Sequence, residues 1–483
     1  LLHIHRGDPG DEAAEAVPDF ADASDLRGRR IHDKIRTLHE RHPAAHFAVI
    51  GPAGESYAQV RYAAIGLSTE NQLRSGDAKM RFCGRGGMGG VMGSKNLLAI
   101  VADTPDPKRP PAPPVLKEIN GEVARGAGSR FYRDRDKGDG QGGTWAMYGA
   151  LQPLHAMPER NFNPTGTDAS VPLFRDSVEK GPYVVKDESC YRCGIRCHKN
   201  VYDRDEAGRA GRFRAKLDYE PLNLLSSNLG IFDPDRALEL VDLVDELGMD
   251  SISCGGTLGY AMEYNRRHAG EGNAIAGGIG YGDFEAARQA ILDIGEGRLP
   301  ELGQGSLRLA EQVGETGYAM QCKGVEFPAY LPQTNPGYPW ALAGGHMSMR
   351  TYLLYVFERE ADLDYWVQAI TGRGIAVLRD DIIGICKFCG MKDDRVAEAI
   401  RALTGLEIDK AALRKVVRRT FLRGYRLEKR QGFCAEDYSL PDEAHEDYPQ
   451  IQLPRFNTRE FFAQLRDRVN ETFDRMLVEE DLG

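Results

Sequence analysis

Residues 190–200 read CYRCGIRCHKN, which sets Cys190, Cys193 and Cys197 in a C-x-x-C-x-x-x-C array. Thiols crowded to this degree constrain a fold more than any apolar pattern does, because they must close around a shared ligand or pair with one another. Three ligand classes are compatible with the spacing: an iron-sulfur cluster, a zinc ion and a set of disulfides. The whole chain has nine cysteines, an odd number spread over 483 residues with no signal peptide, which favours a reducing, cytoplasmic setting over a disulfide framework. Zinc could use His198 or a remote residue as its fourth ligand. A four-iron cluster needs a fourth thiolate from elsewhere, and the cysteine ending DIIGIC, Cys386, is available. The order C-x-x-C-x-x-x-C is not the C-x-x-x-C-x-x-C of radical enzymes.

The chain is too long for one core and is expected to divide. The proline-rich TPDPKRPPAPP, residues 104–114, marks one boundary, and EFPAYLPQTNPGYP, residues 326–339, marks a hinge. The expected class is α+β: a β-rich layer over residues 1–110, then two mainly α-helical domains over 111–330 and 331–483. FAVIGPAGE and LLAIVAD read as buried strands of the first part. DPDRALELVDLVDELG reads as a helix capped by Asp233, opened by Pro234 and stopped by Gly248. The tail beyond Arg430 reads as acidic and partly irregular. No run of 18 uninterrupted apolar residues could span a bilayer, and a net charge of −10 argues against a nucleic-acid partner.

Two short stretches echo one another. DELGMD at 245–250 and DIIGIC at 381–386 share D-x-x-G followed by an apolar residue and Asp or Cys. In each, glycine ends a helix and exposes a turn, so the pair suggests two related halves around one ligand. Residues 83–96, CGRGGMGGVMGSKN, form a glycine cluster whose amides could approach a phosphate. It matches neither a Rossmann fingerprint, since no strand is evident before it and no room for a full helix after it, nor a Walker A loop. Glu220 in KLDYEPLNLL and His346 in WALAGGHMSMR are ionisable groups in apolar company. HERHPAAH, with His39, His42 and His46, is read as surface because Pro43 breaks its helix.

Taken in order, GRGGMGGVMGSKNL, CYRCGIRC, DELGMD with SISCGGTLGYAME, and DIIGIC resemble the tungsten-dependent aldehyde ferredoxin oxidoreductase family over about residues 50–390. The resemblance implies a metal held by two molybdopterins (tungstopterin) beside a 4Fe-4S cluster, with the metal-pterin site between the two helical domains. Cys190, Cys193, Cys197 and Cys386 match the cluster ligands. Asp245, Gly248, Met249 and Asp250 match one pterin-binding turn, and Asp381, Gly384 and Ile385 the other. Arg85, Gly86, Gly87, Met88 and Gly89 match the loop at the pterin phosphates, where Mg2+ is a further candidate ion. Glu220 and His346 match the active-site glutamate and histidine. An aldehyde substrate, a ferredoxin-like acceptor and a homo- or hetero-oligomer follow from the same resemblance.

The sequence also departs from the family. Asp242 stands where the family usually has a histidine three residues after Glu239, so a metal-bridged dimer is not expected. His346 follows two glycines directly, where many members insert a residue. Members carry over a hundred residues before the part matching Leu1, including an arginine between cluster and pterin, so a second chain or an N-terminal portion is expected to complete the site. Rival readings are the tungsten subunit of a class II benzoyl-CoA reductase and a pterin-free electron-transfer subunit.

Overall fold

A computed structural model describes residues 1–6, 16–103, 112–126, 142–163, 167–190, 193, 195–332, 335–342, 362–446 and 458–482. The first layer is a six-stranded sheet of β1 (Leu2–Arg6), β2 (Ala16–Phe20), β3 (His46–Ile50), β4 (Ile65–Leu67), β5 (Arg81–Cys83) and β6 (Ala99–Asp103). Their order is β2-β1-β6-β3-β4-β5, and only β1 and β6 run parallel. Helix α1 (Ile31–Arg41) lies on this sheet because Ile31, Ile35 and Leu38 recur at helical spacing; they bury against Phe47, Val49 and Val101. Lys34 on the same helix is also buried, and its ammonium donates to the Ile50 carbonyl and to Glu55.

The glycine cluster differs from the sequence expectation. A strand, β5, does lead into it, and a two-turn helix, α2 (Met88–Ser94), lies within the cluster itself, with β6 beginning at Ala99 as closely behind it as expected. The topology still excludes a Rossmann unit, since β5 is an edge strand antiparallel to β4.

The second part is mainly helical, as expected, with one addition. It carries a three-stranded antiparallel sheet, β7 (Tyr183–Glu188), β8 (His198–Arg204) and β9 (Ala210–Leu217), with the cysteine array in the β7–β8 connection. Charges conceal these strands in the sequence, because Arg214, for example, neutralises Asp203 and Asp235 across the surface. Beyond the sheet lie α3 (Tyr219–Leu224), α4 (Pro234–Leu247) and α5 (Ser251–Arg267). The structure gives α4 the caps read from sequence: the Asp233 carboxylate accepts from the amides of Asp235 and Arg236, and Gly248 closes the helix at φ +75°.

The proline-rich stretch expected as a hinge is packed instead. Phe327, Ala329, Tyr330, Leu331 and Trp340 are buried in one apolar core that runs from Ala53 to Leu482. The other proline-rich stretch, 104–114, lies mostly outside the described residues. In the last part, α6 (Leu378–Ile383) precedes the second D-x-x-G turn, and α7 (Lys410–Arg430) packs against α8 (Arg459–Glu479). The α8 helix falls in the tail read as irregular; Phe462, Leu465, Val469, Phe473 and Leu477 form its buried stripe. Among the described residues no helix is long and apolar enough to cross a membrane.

Candidate metal and active site

The β7–β8 hairpin holds the array. Glu188 pairs with His198 at the end of the ladder, so residues 189–197 leave and re-enter the sheet at one point. Within that loop the Cys193 amide donates to the Cys190 carbonyl, and the Ile195 amide donates to the Cys193 sulfur. Arg196 takes a left-handed φ of +54° and ties its guanidinium to the Asp187 carbonyl. Tyr191, Arg192 and Gly194 are outside the described residues.

Cys386 arrives from the other end of the chain, on the turn after α6, where Gly384 at φ +72° reverses the backbone and the Ile385 amide donates to the Asp380 carbonyl. Cys386 lies near Cys190 and Cys197, and Cys193 lies near Cys190. Burial raises the Cys190 thiol, with Cys193 and Cys386 close enough to add to it. Burial pushes Cys197 up to about 12, assisted by Asp218 and Cys386. Thiols that resist ionisation in isolation are suited to a positively charged metal, which drives the thiolate form.

Sequence reading missed Cys389, Arg81 and Asp218 in this group, and named His198 only as a possible zinc ligand. Cys389, on the one-turn helix Lys387–Cys389, is a fifth thiol; its hydrogen bond with Cys386 raises it further than burial does. The signal was present as a second C-x-x-C, CKFC. His198 sits with Nε2 3.2 Å from the Cys190 sulfur, and burial lowers its pKa to about 3, so the ring is neutral.

Arg81 lies against Asp218, Cys190, Cys197 and Cys386; burial works to lower its pKa, but the Asp218 carboxylate, with the neighbouring thiols adding to it, holds the guanidinium above its ordinary value. Its Nη1 is buried without a hydrogen-bond partner. Asp218 is held well below the carboxylate range, because Lys216 and Arg81 overcome its burial. A cavity of about 560 Å³ opens beside this group, lined by Arg81, Cys190, His198, Asn200 and Lys216 among others.

Two residues beyond Asp218, in the first turn of α3, stands Glu220. It is buried, and desolvation pushes its pKa up to about 7, with Asp218 adding to the rise and Arg85 and the Tyr330 hydroxyl opposing it. A carboxyl near neutrality is poised to accept or release a proton. His346 lies outside the described residues.

The first D-x-x-G turn is wedged under the sheet layer. The Ala64 amide donates to the Gly248 carbonyl, the Asp250 amide donates to the Tyr62 carbonyl, and Met249 bridges to Ala63. A Cβ on Gly51 would stand 2.2 Å from the Leu247 carbonyl oxygen, so the two backbones touch. Asp250 caps α5 through the Ile252 amide and also accepts from Ser253 and from the Arg85 guanidinium. Its carboxylate, and most of Arg85, are therefore spent within the protein; Arg85 Nη1 alone is buried and unpartnered. Asp245 is different. Burial pushes its carboxyl up to about 7, and it accepts no hydrogen bond among the described residues. It is open to a donor such as the amide edge of a pterin.

In the second turn Asp381 is 46% exposed and paired with Lys387 at 2.6 Å. The glycine loop divides likewise. Gly87 and Gly89 let it press on the carbonyls of Arg61 and Ala64, where a Cβ would clash at 2.2 and 2.4 Å, and the Gly89 amide donates to Ala63. Gly86, at φ +84° with open space around it, and the half-exposed Met88 form its free rim. The donor set fits the expected groups. The thiols of Cys190, Cys193, Cys197 and Cys386 gather in one place, and the Asp245 carboxyl and the buried Nη1 atoms of Arg81 and Arg85 make no hydrogen bond among the described residues.

Comparison with known proteins follows this geometry. Residues 124–472 match the family model for aldehyde ferredoxin oxidoreductase, domains 2 and 3, and residues 5–104 match the model for its N-terminal domain. The tungsten-containing aldehyde ferredoxin oxidoreductases of Pyrococcus furiosus and Pyrococcus abyssi are 32% and 33% identical, over 66% and 70% of this chain and 51% and 52% of their own lengths. An aliphatic sulfonate oxidoreductase, WOR-like subunit, of Pyrococcus furiosus is 29% identical over 62% of this chain and 47% of its own length. The chain thus spans about half the length of the curated relatives it matches. Among solved structures, the active site complex BamBC of benzoyl coenzyme A reductase, in complex with 1,5-dienoyl-CoA, superposes with a TM-score of 0.69 at 17% identity, over all of this chain and 80% of that one. By sequence and fold, the chain belongs to the aldehyde ferredoxin oxidoreductase family.

Proposed function

We propose that this chain carries most of the catalytic site of an oxidoreductase that converts an aldehyde and water to a carboxylic acid, releasing two electrons and two protons. The observation that carries the reading is the gathering of Cys190, Cys193, Cys197 and Cys386 beside Asp218, two residues before Glu220, a carboxyl whose pKa of about 7 suits proton transfer. When bound, a tungsten bis-molybdopterin centre supplies two-electron redox and Lewis-acid chemistry, and a 4Fe-4S cluster supplies one-electron relay.

The chain's own residues do the rest. The four cysteines hold the cluster, with His198 and Arg81 as polar neighbours of the thiolates. Asp245 accepts hydrogen bonds from one pterin, and the 381–386 turn receives the other. Glu220 takes the proton released when water adds to the carbonyl carbon, with Tyr330 orienting its carboxyl. His346 is assigned the hydrogen bond to the developing oxyanion, and the 85–89 loop the pterin phosphates with Mg2+. Electrons leave to a ferredoxin-like partner.

The fold likeness to the benzoyl-CoA reductase complex supports a second reading, in which the same site delivers electrons to an aryl thioester. A pterin-free electron-transfer subunit is the third. Metal and pterin analysis separates them: about four irons, one tungsten and two pterins per chain supports either enzyme, and iron alone supports the third. Glu220→Gln is expected to lower kcat by about 100-fold or more with aldehyde while cluster absorbance is retained; full activity in that variant removes Glu220 from its role.

A further inference from the structure

The sheet layer holds a second group of ligand-type side chains on the face that α1 covers. Residues directly opposed in a sheet share a face. Val49 opposes Ala99, Phe47 opposes Val101, Val101 opposes His3, and His5 opposes Asp103. One face of β3, β6 and β1 therefore changes from the buried Phe47, Val49 and Val101 to His3 and Asp103 at the point where the apolar stripe of α1 ends. That helix closes on His42, whose amide still donates to the Leu38 carbonyl. Its ring is thereby set over the edge of the sheet.

Three groups far apart in sequence converge there. His3 Nε2 lies 3.5 Å and His42 Nδ1 3.6 Å from the same oxygen, Asp103 Oδ2, and all three ligand atoms fall within 4.8 Å of one another. The two imidazoles are 4.7 Å apart at their centroids and tilted by 54°. His3 Nε2 is buried at the atom level and makes no hydrogen bond, although its side chain as a whole keeps 23% exposure. Donors each about 2.0–2.1 Å from a tetrahedral ion stand roughly 3.3 Å apart, so the two imidazole–carboxylate separations need only a few tenths of an ångström of closure, and the two imidazole nitrogens, within 4.8 Å of one another, close by at most about 1.5 Å through rotation of partly exposed rings. Two imidazoles and a carboxylate are the donor set of borderline divalent ions, with the remaining position left to water. The side-chain exposures of 23–25% give an ion access from solvent.

We propose that His3, His42 and Asp103 bind a divalent first-row transition metal, with Zn2+ as the fitting ion. The ion ties strand β1 to the C-terminus of α1 and the end of β6, and it fastens the N-terminal edge of the sheet layer. This site is separate from the cysteine group and does not rest on the oxidoreductase reading. The neighbouring His5 is already engaged, with Nε2 2.6 Å from Asp19 Oδ2, and is not a ligand.

The test is a titration of the purified chain with Zn2+ and, for spectroscopy, Co2+. Wild type is expected to bind one more ion per chain than the His3→Ala/His42→Ala double variant. The Co2+ difference spectrum, wild type minus double variant, should show ligand-field bands without thiolate charge transfer, which sets this ion apart from any metal on the cysteines. His42→Ala and Asp103→Asn, the latter a near-isosteric change at a partly exposed site, should each weaken binding at this site at least tenfold. Zn2+ should raise the Tm of wild type by more than that of the double variant. His5→Ala should bind within a few-fold of wild type. Equal stoichiometry in wild type and double variant, a thiolate-type difference spectrum between them, or equal loss in His5→Ala would each overturn the proposal.

Discussion

The two D-x-x-G turns share a pattern and a backbone, yet their surroundings are opposite. Both end a helix at a left-handed glycine, Gly248 at φ +75° and Gly384 at φ +72°. At the first, a Cβ would meet the Gly51 amide nitrogen at 2.9 Å; at the second, it would meet nothing within 4 Å. Asp245 is half-buried and its carboxyl accepts no hydrogen bond among the described residues, whereas Asp381 is exposed and ion-paired. The same local sequence thus serves as a joint between layers in one place and as an open ledge carrying a cysteine in the other. Position in the fold, not the motif, decides which.

The largest expected effect lies on the ledge. Cys386→Ser should abolish retention of iron while shifting the unfolding midpoint of the metal-free chain little; Cys389→Ser should retain iron, measured per chain after anaerobic gel filtration. Iron lost from Cys389→Ser and kept in Cys386→Ser would reverse the ligand assignment. At the joint, Gly51→Ala should cost about 3 kcal/mol in denaturant unfolding, because a methyl cannot share space with the Leu247 carbonyl. A neutral result there would mean the layers are not held backbone to backbone.

The next contrast is in pH. In the cofactor-free chain the folded-state pKa of Asp245, about 7, lies above its ordinary value of 3.8. The folded chain therefore binds that proton more tightly, so stability falls as pH rises from about 4 to 7 and then levels. Asp245→Asn should flatten this fall and raise the Tm at pH 8 by a few degrees relative to wild type, read by thermal scans across that range. The smallest effect is Gly384→Ala, where only the left-handed backbone resists; about 1 kcal/mol is expected.

Legibility followed the range of the interactions. The α4 helix was readable because its cap, its opening proline and its terminal glycine are all local. The neighbourhood of Cys386 with Cys190 and Cys197 could be anticipated, because a C-x-x-C-x-x-x-C array calls for a remote thiol and the D-x-x-G turn ends on one. The β7–β9 sheet was not, since its alternation is broken by charges that find partners only in three dimensions, such as Lys199 with Asp187. The α8 helix had a clear apolar stripe beneath an acidic composition that drew attention away from it. Arg81, which meets Asp218 and three cysteines across long stretches of chain, left no local mark. His42 was read as a surface residue cut off from its neighbours by Pro43. That ending of the helix is what places it beside His3 and Asp103.

The meeting of Cys197 with Cys386 also has a consequence in chain entropy. The two are separated by roughly 190 residues, and a single group bound to both would close that span as a loop. In the cross-link model, forbidding the open forms of such a loop in the unfolded ensemble is worth about 5 kcal/mol. A filled site would act as a long-range staple, and a chelator that empties it should make the whole interval, rather than the hairpin alone, more susceptible to a protease.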